Sequence, residues 1–379
     1  MEDVLILSED GKTLLGVKDK SVREVVIPDG VEVIGENAFE YCHSLISIEI
    51  PNSVTSVGDS AFAACSFEKL YVPNNVKSIG RCAFENCLSL KNIVIPNSVT
   101  CIGESAFNYC SSLKKVVIYE GLEYIGNQLF SNCSSLVDVD IPNSVTYIGI
   151  GAFYNCSSLK DIVIPDSVKS IGKSAFSYCS SLISISIPNN MESIGLWAFC
   201  NCSSLESITL PSSLISIGGS AFRDCSALKS IDIPDRVKSI DDETFRDCSS
   251  LKSIVLPSSL ISIGDDAFRG CTSLANINIP HSLEAIGDNA FYDCSSLNSI
   301  ALPCSLVALG ENAFGGCYAL NSIDIPDNLV GINYGAFRDC PSLKCIKLPN
   351  SITSIEDNMF ESFTFFGKRN YSRWCKIYW

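Results

Sequence analysis

The chain has 379 residues, 46% of them apolar, which is enough for a real core and excludes wholesale disorder. Net charge is −15 and the pI about 4.6, so a phosphate backbone is repelled and nucleic acid is not an expected partner. No apolar run approaches the roughly 20 residues of a membrane-spanning helix, and only two histidines, His43 and His281, argue against a multi-histidine metal site.

The start, Met1-Glu2-Asp3 followed by the short Val4–Leu7 run, lacks the basic and apolar regions of a secretory leader. If Met1 is the natural start, a cytoplasmic location is expected. Val4–Leu7 and Thr13–Leu15 flank Asp10-Gly11, a hairpin-turn signal. Ser21–Ile27 places Val22, Val25 and Ile27 where later units carry Leu, Ile and Ile. Residues 1–27 are therefore expected to form a hairpin and partial-repeat cap.

From residue 28 the prolines set the organisation. They recur from Pro28 to Pro349 in steps of 23 residues, with one step of 22 and one double step in which Tyr119 fills the gap. A fixed short period predicts one repeat solenoid over 28–348, fourteen units long, instead of separate domains. Eleven residues after the proline position stands Phe, from Phe39 to Phe360, and fourteen after it stands Cys, from Cys42 to Cys340. Seven after it is usually Gly, as at Gly35, Gly58, Gly80 and Gly103. Asp241, Asn333 and Glu356 are the exceptions. A left-handed turn is expected there, which Asp and Asn tolerate best after Gly.

Each unit reads as two short strands and a turn. The stretch Leu159–Pro165 alternates apolar and exposed positions and ends at proline, as a strand does. Ser144–Gly149 predicts the second strand. The segment from Ala152 through Phe153 to Cys156 predicts one or two helical turns, because residues three apart share a helix face. The recurring Val, Ile, Ala, Phe, Cys, Leu and two Ile of each unit point inward and are buried only when units stack.

At this point the sequence resembles the BspA-like, or treponemal-type, leucine-rich repeat proteins. The matching residues are Pro142-Asn143-Ser144-Val145-Thr146-Tyr147-Ile148-Gly149 and then Ala152-Phe153-Tyr154-Asn155-Cys156-Ser157-Ser158-Leu159, and the likeness spans about residues 22–360. The resemblance implies a β-rich leucine-rich-repeat array, and a cell-surface or secreted adhesin that attaches to host matrix proteins or to other cells. A leaderless intracellular interaction scaffold is the alternative.

Residues 349–379 are expected to be a final partial repeat and a cap. Phe363 replaces the repeat Cys, and the tail that follows is aromatic and basic, with Lys368, Arg369, Arg373, Trp374, Lys376 and Trp379. The two tryptophans are expected to cover the open end of the last repeat.

Candidate chemistry is sparse. The repeat cysteines face the same way in successive units, which gives poor disulfide geometry and no four-ligand zinc cluster. Free, buried structural thiols are expected. Cys82, Cys101, Cys200, Cys304, Cys345 and Cys375 fall outside the repeat position. Two lone histidines many repeats apart offer no Ser-His-Asp arrangement, and no phosphate-binding loop is present. Neither an enzyme nor a cofactor is expected.

The variable strand positions carry the binding reading. Tyr71, Val94 and Val117 occupy one outward column in three successive units, with Lys69, Lys91 and Lys114 in neighbouring columns. An apolar strip with a charged rim is what a protein ligand requires. The expectation is a monomer that binds a protein through this face. A glycan-binding module is the weaker reading, since Tyr71 is the one aromatic residue in that column.

Overall fold

The computed structural model describes residues 4–329 and 331–347. The repeats form a solenoid that divides into two compact units, Met1–Asn190 and Met191–Trp379.

In the first unit, Leu5–Leu7 and Thr13–Val17 pair antiparallel. Gly11 takes a φ of 70°, and the Asp10 carboxylate accepts from Ser8 Oγ and the Lys12 amide in the turn. Thr13–Val17 then pairs in parallel with Val33–Ile34, and the ladder runs on through Ser56–Val57, Ser78–Ile79 and Cys101–Ile102. These are the predicted second strands of the repeats. The other predicted strands stack beside them, with Asn92–Ile95, Lys115–Ile118 and Asp138–Asp140 in parallel register. The second unit repeats both ladders. Ser207–Thr209, Ser230–Asp232 and Ser253–Val255 form one, and Ser239–Ile240, Ser262–Ile263, Ala285–Ile286 and Ala308–Leu309 the other.

The inward positions are buried as expected. In the repeat starting at Pro142 they are Val145, Ile148, Ala152, Phe153, Cys156, Leu159, Ile162 and Ile164. The phenylalanines form a ring stack. From Phe39 to Phe176 in the first unit, neighbouring centroids lie 5.1–5.6 Å apart with planes within 19°. From Phe199 to Phe337 in the second, they lie 5.2–5.9 Å apart within 11°. Near-parallel rings at that separation are offset, the arrangement the ring quadrupole favours over a direct sandwich. The unit with the 22-residue step lacks one residue between Cys65 and Pro73. There Phe67 takes the Leu place and stands edge-on to Phe62 and Phe84, at 6.0 and 6.4 Å.

Two expectations are corrected. No helical turn forms over the Ala-Phe-x-x-Cys segment, and among the described residues there is no helix. The backbone instead makes successive four-residue turns, each closed by a bond from an amide to the carbonyl three residues earlier. Ala38, Glu40 and Cys42 donate to the carbonyls of Gly35, Asn37 and Phe39. Between them Asn37, Phe39 and Tyr41 donate sideways to Asp59, Ala61 and Ala63 of the next repeat, at 2.7–2.9 Å. Left-handed φ values of 57° at Asn37 and 59° at Tyr41 turn those amides outward. A helix would direct every N–H along its own axis and leave the next repeat without partners.

The second correction concerns glycine. Gly35, Gly58, Gly80 and Gly103 do not have positive φ, nor do Asp241 and Asn333 in the same place. Where glycine is needed at this position, as at Gly58, the reason is close approach. A Cβ on Gly58 would lie 2.7 Å from the Glu36 nitrogen and 2.8 Å from the Gly35 carbonyl carbon, both backbone atoms that cannot move aside. The predicted cap at 349–379, with Phe360, Phe363, Trp374 and Trp379, lies outside the described residues.

The contrast between two glycines at this one repeat position is testable. At Gly126 the nearest atom to an added Cβ is the Ile102 carbonyl oxygen at 3.6 Å, an ordinary contact. Gly58→Ala should lose about 1–3 kcal/mol in chemical denaturation by overpacking. Gly126→Ala should be neutral or gain up to about 1 kcal/mol, because it restricts the unfolded chain. Equal effects at both positions would refute the close-approach explanation.

Candidate functional site

The outward face of the first unit is set by strand pleating. Along Asn92–Ile95 and Lys115–Ile118, Ile93, Val116 and the flanking isoleucines turn into the core, and alternate side chains turn out. The parallel register sets Val94 directly beside Val117, and Val117 beside Asp140. A bridge between Lys69 and Asn92 brings Tyr71 level with Val94. Tyr71 is 66% and Val94 46% exposed, and Val117 is half-buried. The three residues chosen from the sequence thus form one strip, which Asp140 ends.

The rim is less basic than the lysines alone imply. Lys91 Nζ lies 2.7 Å from Glu68 Oε2, and this bond holds the Glu68 carboxyl below its usual value. One column over, Lys115 and Asp138 pair at 2.6 Å. Lys69 and Lys114 are exposed and carry the remaining positive charge. Glu68, Lys115, Asp138 and Asp140 were not singled out from the sequence. The signal was available, since both ion pairs join residues 23 apart, which is the repeat length.

The thiols make a second ordered array. Each repeat cysteine is buried, and in twelve of them, from Cys65 to Cys340, Sγ donates to the Phe carbonyl of the repeat before. Cys65 reaches Phe39 at 3.3 Å, Cys133 reaches Phe107 at 3.2 Å, and Cys248 reaches Phe222 at 3.1 Å. Burial disfavours the thiolate, so Cys179 and Cys340 are pushed up from 9.0 to about 12, and Cys110, Cys156 and Cys225 well above 9.0. Half-buried Cys82 rises to about 11, through burial first and Glu85 second. Cys101 and Cys304 are exposed. His43 and His281 are exposed as well, and His43 Nδ1 lies 3.0 Å from the Ala64 carbonyl oxygen. Among the described residues, no group of three or more His, Cys, Asp or Glu side chains converges on a metal position.

The BspA type leucine rich repeat region, as a family model, matches residues 17–137, 123–252 and 238–365. The chain belongs to this family. A crystal structure of a leucine-rich repeat protein from Bacteroides ovatus is 35% identical, covers 86% of each chain and superposes with a TM-score of 0.78. A leucine rich cell surface protein from Faecalibacterium prausnitzii is 31% identical over 84% of this chain and 92% of its own, with a TM-score of 0.53. The pneumococcal vaccine antigen PcpA, 20% identical over 94% of this chain and 91% of its own, with a TM-score of 0.50, shares the fold. No curated protein matches the chain. BspA-type repeats are protein-interaction modules, generally without enzymatic activity.

The thiol array has a pH consequence. A thiol whose folded pKa is raised contributes stability that is fully present below the unfolded value of about 9. It is lost as pH rises from there toward the raised folded value. Each such thiol should remove about 1.4 kcal/mol of stability per pH unit above 9. The triple change Cys133→Ala, Cys156→Ala and Cys179→Ala should flatten the alkaline slope by about 4 kcal/mol per pH unit, read from urea denaturation between pH 9 and 11. A stability that does not change over that range would contradict the buried ladder.

Proposed function

We propose that this protein is a cell-surface or secreted adhesin that binds a protein ligand, of host matrix or of another cell's surface. The face it uses is Tyr71, Val94 and Val117, with Lys69, Lys91 and Lys114 around it, on an array running over residues 28–348 between terminal caps. The observation that carries this reading is the in-register pairing of Val94 with Val117 beside the exposed Tyr71. A continuous apolar strip with an aromatic anchor and a charged rim has the anatomy of a protein-binding patch. Lys69 and Lys114, exposed on a chain of net charge −15, suit an acidic partner surface.

Family membership supports the surface location, as does the similar protein named a cell surface protein. The cysteines do not oppose it. A thiol resists oxidation when it is buried and held protonated, so a reduced ladder persists in an oxidising compartment. Among the described residues no helix is long and apolar enough to cross a membrane. Protease treatment of intact source cells tests the location: digestion supports the adhesin, and protection would make the protein an intracellular scaffold.

Changing Tyr71, Val94 and Val117 together to Ser tests the face. The variant should fold normally, because all three side chains point outward. Its affinity for a captured protein partner should fall at least about tenfold, or roughly 1.4 kcal/mol, by surface plasmon resonance. Undiminished binding would move the site elsewhere on the array.

A further inference from the structure

The glycan reading found a single aromatic residue, Tyr71, in the outward strand column, but the turn segments supply more elsewhere on the first unit. Four successive repeats, at residues 108–174, open a cavity of about 350 Å³ whose lining includes Tyr109, Tyr154, Asn108, Gln128, Asn132 and Ser174. Gly151 also lines it, and its missing side chain leaves the space between Gln128 and Tyr154 open.

Three observations narrow the ligand. The first is charge. The chain carries 42 Asp and Glu and 27 Lys and Arg, yet none of these lines the cavity. A cation or an anion therefore finds no counter-charge in the lining. The second is buried polarity. Among the described residues only six polar side chains are buried, and two of them, Asn108 and Ser131, lie here. Asn108 belongs to a relay of carboxamides, and Ser131 Oγ accepts from Asn132 Nδ2 at 3.0 Å. Asn155 Nδ2 donates to Asn132 Oδ1 at 3.0 Å, Asn132 Nδ2 to Asn108 Oδ1 at 3.3 Å, and Asn108 Nδ2 to Glu85 Oε1 at 2.9 Å. Ser105 Oγ donates to Gln128 Oε1 at 3.1 Å, which orients the Gln128 amide and leaves its Nε2 for a ligand. The third is the aromatic walls. Tyr109 is 49% exposed, and Tyr154 is held edge-on to Tyr178 at 5.5 Å.

Uncharged donors and acceptors that line one cavity with two aromatic rings match one chemical class. Sugar hydroxyls both donate and accept, as carboxamides do. The polarised C–H face of a pyranose meets the negative face of an aromatic ring. A folded protein partner buries about 800 Å² of this surface in a specific complex, whereas this cavity sits near the lower end of small-ligand sites, which start at about 300 Å³. We infer that this cavity binds a neutral hexose unit of a glycan, stacked against Tyr109 and Tyr154 and hydrogen-bonded by Gln128, Asn108 and Ser174. It involves other segments of the repeat than the Tyr71 face, so the two sites act independently.

Native gels cast with soluble mannan, galactan, β-glucan or dextran test the inference by retardation of the full chain. At least one polymer should slow the protein. Tyr109→Asn and Tyr154→Leu should each weaken that retardation at least tenfold in the apparent Kd. Asn suits the left-handed φ of 58° at Tyr109, and the ring there is exposed, so that variant keeps the fold even if Tyr154→Leu perturbs it. The Tyr71, Val94 and Val117 triple variant should migrate as the unchanged protein does. Retardation by none of the four polymers, or unaltered retardation of Tyr109→Asn, overturns the inference. So does loss of a protein partner by Tyr109→Asn without retardation in any gel, which would make the cavity a protein contact.

Discussion

Every feature of this fold depends on one constraint: a repeat's backbone is completed only by its neighbour. The amides of Phe39, Phe62 and Phe84 each donate to an alanine carbonyl of the next repeat, at 2.7–2.8 Å. The same phenylalanine carbonyls accept the cysteine amide of their own turn and the thiol of the following repeat. A single repeat has neither partner, and its apolar face would meet water. Stability is then a sum of interfaces between neighbours, as in other solenoids. Left-handed backbone at a non-glycine residue costs about 1–2 kcal/mol, and two left-handed positions recur in every repeat, both of them non-glycine in ten of the fourteen. That conformation persists because it aims alternate amides at the next repeat, where a relaxed turn would leave them buried without partners.

The register of the core was legible in the residues because burial is monotonous. Phe, Cys, Leu and Ile return at fixed offsets, and each offset has one inward direction. The turn was not legible for a physical reason. Phe39 and Cys42 stand three apart, and that spacing fits an α-helix and a four-residue turn equally well. The discriminating signal sat one place before the cysteine. Asn86, Asn132, Asn155, Asp224, Asp247 and Asp293 occupy it, all types that tolerate left-handed backbone, and all have positive φ. The glycine position was misread in the complementary way. Glycine serves both positive φ and close approach, and only the neighbouring backbone at Gly58 distinguishes the two.

The candidate strip was legible because its three members share one column. Its charges were read incompletely, because each lysine was considered without the residue 23 positions away. Glu68 with Lys91 and Lys115 with Asp138 are neighbours only through the stack. In a parallel array of this kind, the residue one period away is as close a neighbour as the i+4 residue on a helix.

The two surfaces follow from how side chains are spaced along the stack. Neighbouring strands lie roughly 4.8 Å apart, so large residues in the same column of consecutive repeats touch and make a continuous ridge. Tyr71, Val94 and Val117 are such a run, and a ridge meets a broad partner surface. Tyr109 and Tyr154 come from repeats two apart, with the Gln128 repeat between them. Tyr109 stands one place before its repeat cysteine and Tyr154 two, so they share no column, and a gap lies between them in place of a ridge. Gly151 keeps this gap open, since a side chain there would fill the space beside Gln128 Cγ and Tyr154 Cβ, 3.5 and 3.7 Å from the added atom. Substitution at outward positions thus turns one scaffold into a ridge or a pocket without disturbing the core, because inward and outward columns never exchange along a strand.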